Sequence, residues 1–263
     1  MSFHALRFNR SASRYESGAD IQSRMADRLL GLWNGSAPGN ILEFGCGTGI
    51  LTRRLQQRFP EAMLLATDAA PAMLEQAKER CVVNESGSPK FVFQDAQGIE
   101  NPASEVVSIS PYNLIASNAL IQWFPNLEKH LRFAIKLVKS DGAYLLSGFS
   151  HSNFSELNEL LAEAPFSYQT FPGHDPKSVE MAAAHSGWKV VAIQDWEEKE
   201  ILPSTLDVLH RLQVLGSTRD PREGGRLNRK NLNHLIAEYT GRFSELGGVP
   251  LTWKPWVALL HRQ

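Results

Sequence analysis

The chain has 263 residues, with 27 Lys+Arg against 28 Asp+Glu and a formal net charge of −1. That balance excludes a global electrostatic drive toward nucleic acid or an anionic membrane, so a charged partner must be met by a local patch. Two cysteines, no ~20-residue apolar run and no signal-type N-terminus exclude a disulfide scaffold and a membrane span, and predict a cytoplasmic protein.

The length suits one enlarged α/β domain. In residues 1–36 the spacing of Ile21, Met25, Leu29, Leu30 and Leu32 predicts a helix from Asp20 to Leu32. The stretch before it, Phe8 to Tyr15, is polar with two aromatics and suits an N-terminal cap over a cleft. Strands and helices then alternate. Strands are expected at 40–44, 62–67, 90–94, 112–116 and 143–147, and helices at 48–58, 71–81 and 128–138. Pro71 fits the first turn of its helix, and Ser140-Asp141-Gly142 reads as a turn. Such alternation predicts a doubly wound, mostly parallel sheet of Rossmann-like type, seven-stranded when the later strands are counted. Beyond residue 148, helices are expected at 154–164, 177–186, 203–216 and 228–246, and a strand at 188–193. A last strand at 251–260 contains Pro255, which favours an edge or a bulge. The segments 150–185 and 203–246 are thus helical additions to a core at 40–148.

The densest pattern is Glu43-Phe44-Gly45-Cys46-Gly47-Thr48-Gly49. An apolar strand ends in an acid, alternate glycines come next, and a helix begins. Glycine permits φ > 0 and close approach of a ligand to the backbone. About 20 residues on, a second apolar run ends in Asp68, placed to accept hydrogen bonds from ribose hydroxyls. This arrangement closely resembles the S-adenosylmethionine (SAM)-dependent methyltransferase fold. In such sheets ligands bind past the carboxyl ends of the strands, at the switch point between strands 1 and 4. The residues expected there are Glu43, Gly45, Gly47, Gly49 and Asp68, then Asp95-Ala96 at an adenine edge and Asn118 at the methionine part of SAM. Gln122 and Trp123 lie further on, toward the acceptor, with core packing as the other reading of Trp123.

The segment after strand 4 disfavours some classes. Asn118-Ala119-Leu120-Ile121 lacks the Asn/Asp-Pro-Pro-aromatic motif of base aminomethyltransferases. No acidic cluster suits Mg²⁺, and the eight histidines lack ligand spacing, so no metal is expected. Cys46 sits where a small residue suffices.

A narrower resemblance rests on Phe8…Ser11-Ala12…Tyr15…Gln22, the glycine turn, Ser117-Asn118…Gln122-Trp123, Leu209…Leu212-Gln213-Val214-Leu215-Gly216-Ser217, Arg226-Leu227-Asn228-Arg229 and Pro250-Leu251-Thr252-Trp253. Together these resemble the malonyl-acyl-carrier-protein O-methyltransferases of biotin synthesis. Gln213 stands where that family usually has a basic residue, and Ser217 where it has alanine. The resemblance implies one methyltransferase domain over 1–263. It would move a methyl group from SAM to the free malonyl carboxylate on the carrier protein, leaving S-adenosylhomocysteine. A carboxylate is already ionised at pH 7, so positioning by Tyr15, Gln122 and Trp123 replaces a general base. Arg219 and Arg222 are candidates to hold that carboxylate. Arg219, Arg222, Arg226, Arg229 and Lys230 form a basic stretch suited to an acidic carrier protein, or simply a solvated charged loop. Two alternatives stay open: a carboxyl methyltransferase of a free small acid of the aconitate type, and a non-enzymatic SAM-binding protein.

Overall fold

A computed structural model describes residues 3–81, 89–96, 102–164, 173–215 and 228–263. Its centre is a seven-stranded sheet in the order β3-β2-β1-β4-β5-β9-β6. β1 (Asn40–Phe44), β2 (Met63–Asp68), β3 (Lys90–Phe93), β4 (Tyr112–Ser117) and β5 (Val138–Phe149) run parallel. β9 (Pro255–Arg262) is antiparallel to both β5 and β6 (Trp188–Asp195). The chain order reverses between β1 and β4, which creates the expected switch point.

The central strands are apolar on both faces because both faces are covered. Ile41, Leu114 and Leu145 join a core with α2 (Asp20–Gly31) and α3 (Ile50–Arg58). Leu42, Ile115 and Leu146 join another with α5 (Ser104–Ile109), α6 (Leu127–Leu137) and α8 (Pro176–Ala184). The first core extends to α7 (Ser155–Glu163), α9 (Thr205–Val214), α10 (Arg229–Phe243) and a small hairpin of β7 (Glu198–Leu202) with β8 (Val249–Trp253). α1 (Phe3–Tyr15) packs on α4 (Pro71–Arg80). Among the described residues, no helix is long and apolar enough to cross a membrane.

Several local expectations need correction. The 251–260 run is two strands in two sheets, and β9 lies inside the main sheet rather than at its edge. Pro255 is tolerated because it is the first residue of β9, opposite the last residue of β5, Phe149. Lys254, between the strands, is held by Asn153, whose Oδ1 accepts its N–H at 2.7 Å. The turn expected at 140–142 is an irregularity inside β5, where pairing jumps from Tyr112↔Val138 to Leu114↔Ala143. A Cβ on Gly142 would meet Val138 at 2.5 Å, so the kink needs glycine. α5, of six residues, and β7, of five, are too short to show a period. Of the connections left between the expected helices, 217–227 and most of 165–176 lie outside the described residues.

Candidate active site

Past β1 the chain turns through Gly45, Gly47 and Gly49 at φ of +65°, +53° and +87°. The three glycines answer different constraints. A Cβ on Gly45 would strike Leu120 at 2.7 Å, and one on Gly49 would press Ala77 and Cys81 at 3.3 and 3.4 Å. At Gly47 it would meet nothing within 4 Å, because that residue faces a cavity. Asp68 pins the turn. Its carboxylate accepts the N–H of Gly47 at 2.9 Å and of Ala70 at 2.8 Å.

The cavity opens past the carboxyl ends of β1 to β4. Gly45, Gly47, Asp68, Asp95 and Ala96 line one side, and Asn118, Ala119, Leu120, Trp123 and Phe124 the other. Ala5, Phe8 and Tyr15 of α1 complete it. A smaller hollow shares Tyr15, Gly45, Gly47 and Asn118 with it and reaches Gln22, Glu43 and Thr48. The fold therefore gathers eight expected residues at the cavity: Tyr15, Gly45, Gly47, Asp68, Asp95, Ala96, Asn118 and Trp123. Glu43 is in the adjoining hollow, and Gly49 lines neither because it serves the packing of α3 on α4. Trp123 also belongs to the core, so both readings of it describe one side chain.

Gln122 lines neither space. Its side chain is buried, and its Nε2 donates to the carbonyl of Ala119 at 2.6 Å. Arg219, Arg222 and Arg226 lie outside the described residues. Arg229 and Lys230 are exposed in the first turn of α10, where the helix dipole disfavours cations.

α1 closes the cavity through apolar contacts at its middle and polar ones around them. Phe8 meets Tyr15 and Trp123 edge-on, at centroid distances of 6.1 and 5.6 Å. Asn9 Oδ1 accepts the N–H of Ala72 at 2.8 Å, satisfying an open donor in the first turn of α4. Just after α1, Glu16 accepts from Thr48 Oγ1 at 2.9 Å and Arg53 Nη2 at 3.0 Å, and pairs with Arg80 Nε at 3.3 Å. This latch ties the end of α1 to α3 and α4.

Burial dominates the electrostatics. It pushes the Asp68 carboxyl up to about 6, against the opposing backbone N–H bonds. It pushes Glu43 up to about 8, although Thr52 donates to Glu43 Oε2 at 2.6 Å. Burial, with the Asp68 and Glu16 carboxylates, also raises the Tyr15 hydroxyl, so that phenol stays neutral. At neutral pH the cavity thus holds an ionised Asp68 beside the aromatic faces of Phe8, Tyr15, Trp123 and Phe124. No cation is among the described residues lining it. Such a site favours a ligand carrying positive charge and hydroxyl donors.

Phe8, Met73, Gln94 and Phe124 are lining residues without an individual role in the sequence reading. Phe8 had a signal, because it lies seven residues before Tyr15 on one helix face. Gln94 had none: it is placed by donating to the carbonyl of Asp95 at 2.8 Å and accepting the N–H of Ala103 at 2.5 Å. Among the described residues, no three His, Cys, Asp or Glu side chains gather as a metal site.

Comparison with known proteins agrees with this geometry. Residues 17–193 match the family model described as a methyltransferase domain. The malonyl-[acyl-carrier protein] O-methyltransferase of Acetivibrio thermocellus is 36% identical over 167 residues, 63% of this chain and 53% of that protein. The match thus spans about half the length of that relative. The enzyme of the same name from Anoxybacillus flavithermus is 31% identical over 253 residues, 94% of this chain and 92% of that protein. Among solved structures, the magnesium protoporphyrin IX methyltransferase of Synechocystis, crystallised with S-adenosylhomocysteine, has a TM-score of 0.55 at 14% identity. That likeness, over 92% of this chain and 83% of the other, shows the fold alone. By its family model, its near full-length relative and its Rossmann-like sheet, the chain belongs to the methyltransferase-domain family, in the group of the malonyl-[acyl-carrier protein] O-methyltransferases.

Proposed function

We propose that this chain methylates the free carboxylate of malonyl-acyl carrier protein with SAM. The products are S-adenosylhomocysteine and the malonyl methyl ester that starts pimelate synthesis for biotin. The observation that carries the reading is the cavity at the β1/β4 switch point, where Asp68 and Gly47 face an aromatic enclosure under α1. The substrate follows from the names of relatives that align along nearly the whole chain.

The residues present fit SAM. The space in front of Gly47 lets a ligand approach the backbone, and Asp68 retains acceptor capacity for two ribose hydroxyls. Asp95 and the N–H of Ala96 would read the adenine edge. Asn118 would meet the methionine part, on the side where the cavity joins the Glu43 hollow. When bound, SAM supplies an electrophilic methyl group on a sulfonium sulfur.

The chain's own task is positioning. A malonyl carboxylate is ionised at pH 7, so no side chain need remove a proton. Tyr15, held neutral, offers its O–H to an acceptor oxygen, while Phe8, Trp123 and Phe124 exclude water around it. Arg219 or Arg222 would hold the substrate carboxylate, because a guanidinium fork pairs bidentately with a carboxylate. Arg226, Arg229 and Lys230 would attract an acidic carrier protein.

The test is transfer of labelled methyl from SAM to malonyl-carrier protein, beside malonyl-CoA and free acids such as aconitate. Labelled ester on the carrier protein, lost in Asp68→Ala, is the expected result. Transfer only to a free acid would move the substrate to the small-acid class. Bound SAM without turnover on any acid would point to a non-enzymatic SAM-binding protein.

A further inference from the structure

Ala119 is a non-glycine residue in the left-handed region, at φ +52°, and it lines the cavity between Asn118 and Leu120. A side chain at such an angle is disfavoured and persists only where its surroundings hold it. Here the holding groups are explicit. The N–H of Ala119 donates to Ser147 Oγ at 3.0 Å, and its carbonyl accepts Gln122 Nε2 at 2.6 Å. The Ser147 hydroxyl in turn donates to Asn118 Oδ1 at 2.7 Å, and Asn118 Nδ2 donates to the Gln22 carbonyl at 2.9 Å. The hydroxyl of Ser147 on β5 and the amide of Gln122 thus clamp both sides of the bend that carries Asn118 and Leu120 into the cavity.

Neither clamp residue touches the cavity. Ser147 is fully buried in β5, opposite Val257 of β9, and Gln122 is 3% exposed. A serine there forfeits apolar packing between the buried Leu146 and Gly148, and the Oε1 of Gln122 is buried with no partner. Both features cost stability, which a residue serving only the core would avoid.

We propose that Ser147 and Gln122 are positioning residues that hold Ala119 in its left-handed bend and so set the Asn118–Leu120 wall of the SAM site. This assigns Gln122 to the wall rather than to the acceptor. The inference rests on the reading of the cavity as a SAM site.

The test uses S-adenosylhomocysteine binding to the full chain by calorimetry, with thermal unfolding alongside. Ser147→Ala removes the partner of the part-buried Ala119 N–H and Asn118 amide oxygen in the bent form, and its affinity is expected to fall about tenfold. Gln122→Ala, releasing the other side, should do likewise. Ala119→Gly, which takes this φ freely, is the reference for the clamp, since its own change to the cavity wall is common to both chains compared. Combined with Ser147→Ala, it should bind within about threefold of Ala119→Gly alone. A Ser147→Ala variant that melts lower yet binds normally would show a structural hydroxyl only and overturn the proposal, as would a loss that persists in full in the Ala119→Gly chain. If Ser147→Ala does not fold, the Gln122→Ala and Ala119→Gly pair decides by the same criterion. A parent chain that binds no S-adenosylhomocysteine would instead remove the SAM reading itself.

Discussion

Substituting Asp68 tests the cofactor reading most directly, because its carboxylate has two duties. It accepts the Gly47 and Ala70 N–H groups that shape the turn, and it would accept the ribose hydroxyls. Hydrogen bonds to a charged group contribute about 1.5–3 kcal/mol each, so losing two from the ligand predicts affinity lower by about 100-fold or more. Asp68→Asn is nearly isosteric but places an N–H₂ against one backbone donor, so its loss should match that of Asp68→Ala. The pH dependence supplies an independent readout. Burial raises the Asp68 carboxyl to about 6, and the ligand prefers the ionised form. Affinity should therefore be flat above about pH 7, and weaker by about tenfold at pH 5 as a proton occupies the carboxyl. Calorimetric titration of S-adenosylhomocysteine from about pH 5 to about pH 8 measures both effects. A parent affinity independent of pH across that range, or an Asp68→Asn affinity within threefold of the parent, would refute the reasoning.

Gly47→Ala and Gly49→Ala should separate ligand space from packing. The first places a methyl group in open cavity and should weaken S-adenosylhomocysteine binding at least tenfold, with its own left-handed φ costing about 1–2 kcal/mol of stability. The second presses Ala77 and Cys81 at a left-handed φ and should lower stability by about 1–2 kcal/mol, read by denaturant unfolding. Glu16→Gln weakens the latch on Arg53 and Arg80. Partly exposed pairs contribute about 0.2–1 kcal/mol each, so hydrogen exchange in α1 should rise about two- to fivefold while the sheet is unaffected. Glu156 is a buried carboxylate whose oxygens accept the N–H and hydroxyl of Thr252, joining α7 to β8. Glu156→Ala should cost about 2–3 kcal/mol in unfolding experiments without changing the affinity for S-adenosylhomocysteine.

Much of the fold and part of the site are written locally. Glycines at 45, 47 and 49, an acid closing an apolar run at Asp68, and Asp95-Ala96 after the third strand are legible because strand ends line up along one edge of a parallel sheet. Position along the chain there fixes position in space. The alternation of strands and helices likewise follows from hydrophobic period. Tertiary structure decided where side chains point once the chain left regular elements. Gln122 turns inward to Ala119, and Glu43 meets Thr52 beside the cavity rather than within it, because their partners lie on other elements or around a bend. Pro255 sits inside the sheet because β8 and β9 separate into different sheets at Lys254, held by Asn153 about a hundred residues earlier. The roof formed by α1 depends on Phe8 finding Trp123 and Glu16 finding Arg53 and Arg80. Period and local propensity specify elements, whereas burial and hydrogen-bond pairing between distant residues specify the directions that make a site.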